Sequence, residues 1–364
     1  MQRHTPMSAV IRAARVVALA AVALAPLPGV AQTPAAGGVN LAAVKSYLVE
    51  MVGKSKAGTA ELADLAQRYY DLAAAVDFNY ETLWEQHGEE VETLLAEARQ
   101  TWVEEASANY ELSEGLVAGV PSLAYFDVWI DAGPSGADDP VNALDIQITL
   151  PDGRVLDRPG NLYHYVTEPV LWGTDDAAVG LRVDMDGDGE IELGEALPEA
   201  NRLLGSAQAL DAATGELQTA AAAWAPTLSD AFTALVVMIP TMSGYFEEWK
   251  GSVFVAGDAT DEVRFVGVSR LADIVGILSG LEIAYETVRP AVEAADPAMA
   301  VQAETELRAL REFVAALHQQ ELDGTRFSPA QADQFGAELQ SRATATAGQI
   351  AQAAALLEVP LADE

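Results

Sequence analysis

The chain contains no cysteine. That excludes a disulfide framework and a lipid-anchoring cysteine at the N-terminus. Lysine is almost as scarce, with only Lys45, Lys54, Lys56 and Lys250. Lysine and arginine together number 20 against 55 acidic residues, a formal net charge of −35. Such a surface repels nucleic acid and anionic lipid and draws in cations. Histidine occurs four times, never within HExxH, and there is no GxSxG, Walker loop or dinucleotide-binding glycine fingerprint. After the first 31 residues no stretch reaches about 18 uninterrupted apolar residues, so no membrane insertion of the mature chain is expected.

What is present begins with an export pattern. Arg3, Arg12 and Arg15 precede the short apolar run VVALAAVALAPL, and PGVA supplies small residues before a cut near Ala31. The expected location is therefore periplasmic or secreted. Removing three arginines and no acids takes the charge from −35 to −38. Residues 32–38 read as a flexible leader, and 39–172 as the helical first half, with a β-hairpin near 143–158 in LDIQITLPDGRVLDR. Residues 173–200 form a connector and 201–358 a helical second half, with segments near 200–223, 227–250, 262–290, 297–320 and 328–357. The expected class is mostly α, two packed helical bundles with small β insertions.

The connector carries DMDGDGEIELGE, residues 184–195. Asp184, Asp186 and Asp188 occupy positions 1, 3 and 5 of an EF-hand-like calcium loop. Gly189 sits at the sharp turn and Glu195 at the closing position 12. Glu190 would give its backbone carbonyl and Glu192 would act through water. The flanks are short, broken by Gly173 and Gly180 before the loop and by Pro198 after it. A sensor needs a long helix on each side, so the loop reads as a structural calcium clip.

Two histidines stand beside carboxylates at helical spacing: His164 with Glu168, and His87 with Glu90 near Glu81 and Glu85. Imidazole and carboxylates gathered from several helices make metal sites in bundles. At these residues the chain resembles the imelysin-like family, specifically its EfeO-type periplasmic iron-uptake branch. DVWIDAG at 127–133 resembles that family's D-x-x-I-D-A-R stretch. NYE at 79–81 resembles its Tyr-Glu-x-x-Glu helix, with the second glutamate displaced to Glu85. YHYVTEPVLWGTD resembles its Gly-x-His-x-x-Glu motif, although the histidine–glutamate gap here is four rather than three. RLADIVGILSGLEIAYETVRPAVEAADPAM resembles its C-terminal helical pair.

The resemblance implies a two-bundle fold that binds or delivers iron, or a similar cation, outside the cytoplasm. The implied metal ligands are Glu81, Glu85, Asp131, His164 and Glu168. The implied partners are metal ions, a membrane iron permease and a periplasmic oxidase; no nucleic acid is expected. Two other classes stay open at this point. One is a secreted metallohydrolase using Glu168 as general base on a metal-bound water. The other is a calcium-stabilised scaffold without catalysis.

Overall fold

The computed structural model describes residues 38–257, 260 and 262–362; the expected export segment and most of the expected leader lie outside the described residues. The architecture is mostly helical, with two small antiparallel strand pairs. Helix α1 (Leu41–Ala75) buries Val44, Leu48, Val52, Leu62, Leu65, Ala66, Tyr69 and Ala73, a stripe recurring at three- and four-residue intervals. Helix α2 (Tyr80–Gln100) starts where the Asn79 side chain accepts from Thr82 N and kinks at His87. A π-helical turn (Thr101–Ser107) leads into α3 (Ala108–Val117). The short α4 (Ala124–Asp127) runs into a second π turn (Val128–Ala132).

The expected hairpin forms as β1 (Gln147–Thr149) against β2 (Val155–Asp157). A third π turn (Leu162–Thr167) feeds α5 (Glu168–Trp172). Strands β3 (Val179–Arg182) and β4 (Ala196–Pro198) pair antiparallel around residues 184–195. Then follow α6 (Ala200–Ala223), α7 (Leu228–Met238), α8 (Met242–Gly251) and α9 (Val253–Ala256). The last three are α10 (Arg270–Ala295), α11 (Pro297–Leu322) and α12 (Pro329–Leu356). Capping boxes start α7 and α12, with Thr227 and Asp230 on one and Ser328 and Gln331 on the other.

Helices α1, α2, α3 and α6 pack as one bundle, and α7, α8, α10, α11 and α12 as the other. The halves therefore interleave: α6, grouped by sequence with the second half, packs on α1 instead. Helix α3 also packs along α10 and joins the bundles. This crossing is close because α10 presents Gly276 and Gly280. A Cβ on Gly280 would lie 2.5 Å from the Leu112 carbonyl oxygen.

The helix expected over 262–290 instead starts at Arg270, capped by Ser269. Residues 263–268 are extended or turning, because their N–H groups serve a buried carboxylate rather than a helix. Among the described residues, no helix is long and apolar enough to cross a membrane.

Candidate metal centre

The three π turns place the central side chains. Each widens a helical turn by one residue, a distortion that concentrates at functional positions. The second delivers Asp131 and the third delivers His164. The third begins where Asn161 Oδ1 accepts from His164 N at 2.8 Å. A widened turn brings residues four apart nearly into line. The His164 Nδ1 and Glu168 Oε2 atoms meet at 2.9 Å.

Glu168 is fully buried and its oxygens are occupied. Oε2 accepts from Phe265 N at 2.9 Å; Oε1 accepts from Val266 N at 2.8 Å and Gly267 N at 2.9 Å. Making these bonds puts Phe265 at φ 55°, the left-handed region that an aromatic residue rarely adopts. Such strain costs of order 1–3 kcal/mol, which charge-assisted hydrogen bonds of about 1.5–3 kcal/mol each can offset. The Phe265 ring then covers His164, with centroids 4.5 Å apart. Position 267 needs glycine: a Cβ there would sit 2.6 Å from the Trp172 ring.

On the other side of the imidazole, Nε2 approaches Asp131 Oδ1 to 3.0 Å, off the line of a hydrogen bond. Asp131 offers an oxygen within 4.8 Å of oxygens from Glu111 and Glu114 on α3. Around these three stand Asp127, whose Oδ1 accepts from Tyr110 Oη at 3.0 Å, and Tyr245, whose Oη donates to Glu114 Oε1 at 2.6 Å. Arg270 donates to Asp273 and Glu248, and its Cζ stands over the Tyr245 and Phe265 rings, 4.5 and 4.4 Å from their centroids.

Six buried carboxyl groups (Glu111, Glu114, Asp127, Asp131, Glu168, Asp273) thus face two buried cationic groups, His164 and Arg270. Both oxygens of Glu111 and Oε2 of Glu114 have no hydrogen-bond partner among the described residues, and Asp131 Oδ1 and His164 Nε2 have only each other, as an ion pair at 3.0 Å. Buried polar groups are nearly always satisfied. A hard cation among those oxygens would satisfy them, and carboxylates with one imidazole are the donor set that hard or borderline cations prefer.

The electrostatics show the strain of crowded anions. Burial, reinforced by the charges of Glu114, Asp273 and Asp131, holds the Glu111 carboxyl well above the usual range. Burial and Asp131 push Glu114 up to about 7, and burial pushes Asp273 to about 6 against the pull of Arg270. Asp127 is raised by burial, Glu114 and Asp131. Burial alone would depress His164; Asp131 and Glu168 overrule it and raise the imidazole to about 10. Asp131 moves down despite burial, because His164 is charged beside it.

Of the five residues expected to form the site, the structure brings together Asp131, His164 and Glu168. Glu81 and Glu85 are exposed on α2 and point away from this centre, so the five-residue set is not assembled. Glu85 instead borders an open acidic groove with His87 and Glu90. The chain contains NYE twice, and the second copy runs on as Tyr110-Glu111-Leu112-Ser113-Glu114. That is an unshifted Tyr-Glu-x-x-Glu, and its glutamates are the buried ones. The signal was available: on α3 the acids share a stripe with Tyr110, Ser113 and Val117, where a solvated acid does not belong. Asp127 also escaped, although it sits four before Asp131. Arg270 and Asp273 lie in the stretch RLADIVGILSGLEIAYETVRP, whose sequence marks only a helix.

The acidic loop at 184–195 is built differently. Asp184 accepts from Gly187 N and Gly189 N, Asp186 from Asp188 N and Asp188 from Glu190 N. Glu195 closes the loop by accepting from Met185 N, Asp186 N and Glu192 N, and these bonds hold its carboxyl below the usual range. Asp184, Asp186 and Asp188 offer oxygens within 4.8 Å of one another. Strands flank the loop where an EF-hand has helices, and Arg99 anchors it by donating to the carbonyls of Leu171 and Gly194.

The model of the imelysin family, also described as Peptidase_M75, matches residues 58–357. That span holds most of both bundles, the whole centre and the acidic loop. No curated protein matches the chain.

Proposed function

The chain belongs to the imelysin family, and from that premise we propose that its buried centre holds a hard metal cation, with iron as cargo. Glu111, Glu114 and Asp131 would supply oxygens and His164 its Nε2. Glu168 would hold the imidazole from behind, as carboxylates do for metal-bound histidines. The observation that carries this reading is the set of unpartnered donor atoms inside an anionic, fully buried cluster. Six carboxyl groups against two cationic groups are costly to bury without a further cation.

The wider reading is an exported, EfeO-type protein that binds or delivers iron for uptake, in company with a membrane permease and a periplasmic oxidase. The loop at 184–195 would hold calcium as a structural clip. A hydrolase using Glu168 as base is disfavoured, since both its oxygens are engaged by three backbone N–H groups and His164. Binding the metal at Nε2 requires that His164 lose its proton, so uptake should release protons and weaken at low pH.

Iron titration tests the assignment. His164→Ala should weaken binding at least about tenfold, roughly 1.4 kcal/mol, while Glu195→Gln binds iron as the parent does. Glu111→Gln should weaken binding and Glu81→Gln should not. Parent-like affinity in both His164→Ala and Glu111→Gln would put the metal elsewhere or nowhere.

A further inference from the structure

The outer face of the turn that carries His164 borders a second hollow. A cleft of about 500 Å³ lies between the loop before the hairpin, β2, α5, the start of α6 and the stretch ahead of Phe265. Val155, Tyr165, Val166, Pro169 and Val263 give it an apolar wall, and Arg158, Arg202 and Arg264 line it as well. Gly160 lets the Tyr165 ring close in, since a Cβ there would sit 2.6 Å from the ring. Basic residues are scarce: of 20 lysines and arginines, 17 remain once the three of the expected export segment are set aside. Three at one small cleft is not what the acidic surface would supply by chance.

The three are unequally satisfied. Arg264 gives Nε and Nη2 to the Glu262 carboxylate and stacks on Tyr165, its Cζ 4.3 Å from the ring centroid. It stiffens the aromatic wall and has little left to donate. Arg202 makes one ion pair, from Nη1 to Asp175 at 3.1 Å, and its Nε–H is buried without an acceptor. Arg158 has no ion-pair partner among the described residues. Its Nη2 donates to the Pro140 and Ala143 carbonyls, and its Nε–H is also buried without an acceptor. The Arg158 backbone stands at φ 46°, a left-handed conformation rare for a residue with a side chain. It is held there by bonds from Arg158 N to Ile146 O and from Gly136 N to Arg158 O.

Three aspartates line the cleft too, and each has other work. Asp175 accepts from Ala177 N besides Arg202, Asp157 accepts from Gln147 on the neighbouring strand, and Asp138 bonds the Tyr165 hydroxyl. Buried donors without acceptors are rare, and a planar oxyanion is the partner whose shape fits a guanidinium edge. A wall of apolar groups beside a few placed donors, in a hollow of this volume, is the usual make-up of a small-molecule pocket. The distant acids oppose an anion only weakly, because charges beyond about 8 Å are screened at physiological ionic strength.

We propose that this cleft binds a small organic oxyanion, a carboxylate or a phosphate ester. Arg158 and Arg202 take its charged group, and its apolar body lies on Tyr165 and Val166. Such an occupant touches the hairpin loop, α6 and the stretch leading to Phe265 together, and so ties down the cover of the centre from outside. The site itself does not depend on what the centre holds.

Calorimetric titration of the full chain tests this, in metal-free protein so that chelation cannot be mistaken for binding. The probes are phenylacetate and phenyl phosphate, with phenylacetamide as the neutral counterpart and acetate as the anion without a body. Saturable binding of phenylacetate or phenyl phosphate is expected, and the tighter of the two names the class. Phenylacetamide and acetate should bind at least about tenfold more weakly, a difference of about 1.4 kcal/mol. Arg158→Gln and Arg202→Gln should each weaken the tighter anion about tenfold or more, while Arg326→Gln, exposed in the loop before α12, changes nothing. Should Arg158→Gln loosen the turn that it bonds, Arg202→Gln carries the test, because its side chain leaves the α6 backbone intact. Parent-like binding in Arg202→Gln overturns the site, as does phenylacetamide binding as tightly as phenylacetate. Titrations in which neither anion saturates overturn it too.

Discussion

The protein holds two acidic clusters that differ in almost every other respect. The loop at 184–195 draws its acids from one short stretch, leaves them near water, and pairs their oxygens with its own backbone N–H groups. The centre draws its acids from α3, the α4 π turn, α5 and α10, buries all of them, and leaves several oxygens with nothing to accept from. Clustered carboxylates thus carry opposite meanings. In the loop the backbone already stabilises the anions, and a cation would add to a formed structure. In the centre the anions work against the fold until something positive arrives.

The sharpest way to break that contrast is to remove one anchoring carboxylate from each cluster. Glu168→Ala strips the acceptor from three buried N–H groups and from His164. Removing one partner of a buried charged network should cost about 3–5 kcal/mol, read as a lower denaturant midpoint. Glu195→Ala removes an equal number of backbone bonds at the surface and should leave calcium-free protein almost unmoved. Comparable losses in both would erase the distinction.

A pH series without metal comes next. Glu114 and Asp273 titrate in the folded chain at about 7 and about 6, above their unfolded values of 4.5 and 3.8. Between those limits the folded state binds more protons than the unfolded state, so stability falls as pH rises. Each such group contributes a slope approaching about 1.4 kcal/mol per pH unit within its window. His164, raised from 6.5 to about 10, extends the same sign of slope upward. Glu114→Gln should flatten the lower part of the curve, and bound metal should flatten it further. A metal-free protein whose stability rises from pH 5 to 7 would contradict the burial of these acids.

Gly267→Ala should cost about 1–3 kcal/mol by overpacking, since the new methyl meets the Trp172 ring. It should also weaken iron binding by disturbing the Glu168 cradle. A melt and a titration on the same variant check both. The smallest effect belongs to the loop. With an affinity expected near 10⁻⁴–10⁻³ M, calcium at ten times Kd should stabilise by about 1.4 kcal/mol, and Glu195→Gln should abolish the shift. A melting curve that ignores calcium would reduce the loop to a self-satisfied turn.

The helices were legible because each announces itself locally. Ser328 with Pro329 and Gln331, Asp296 with Pro297, and the apolar stripe of α1 are readable over a few residues. The mostly α class, the hairpin and the C-terminal helices follow from such signals. The stretch from 263 to 268 was misread as helix because its conformation answers to Glu168, 97 to 99 residues away. No local pattern encodes that. In the centre, the pair of His164 and Glu168 is legible from helical spacing, and Asp131 only through the resemblance. Glu111 and Glu114 were missed because an earlier NYE drew the motif to α2. Hydrophobic patterning would have corrected it: Glu81 lies on a wet face, whereas Glu111 lies among residues that avoid water.

The wide turns have one more consequence. Going from a spacing of three to one of four rotates a helical side chain by about 100°, yet both spacings keep the pair on one face. Here His164 leaves a π turn and Glu168 opens the α-helix after it, four residues on, and their atoms meet at 2.9 Å. Spacing measured in residues and spacing measured in ångströms have come apart. A template that counts letters passes over this pair, while one that asks for an imidazole nitrogen against a carboxylate held by three backbone amides finds it. A helical motif can therefore move between these two spacings and keep its chemistry.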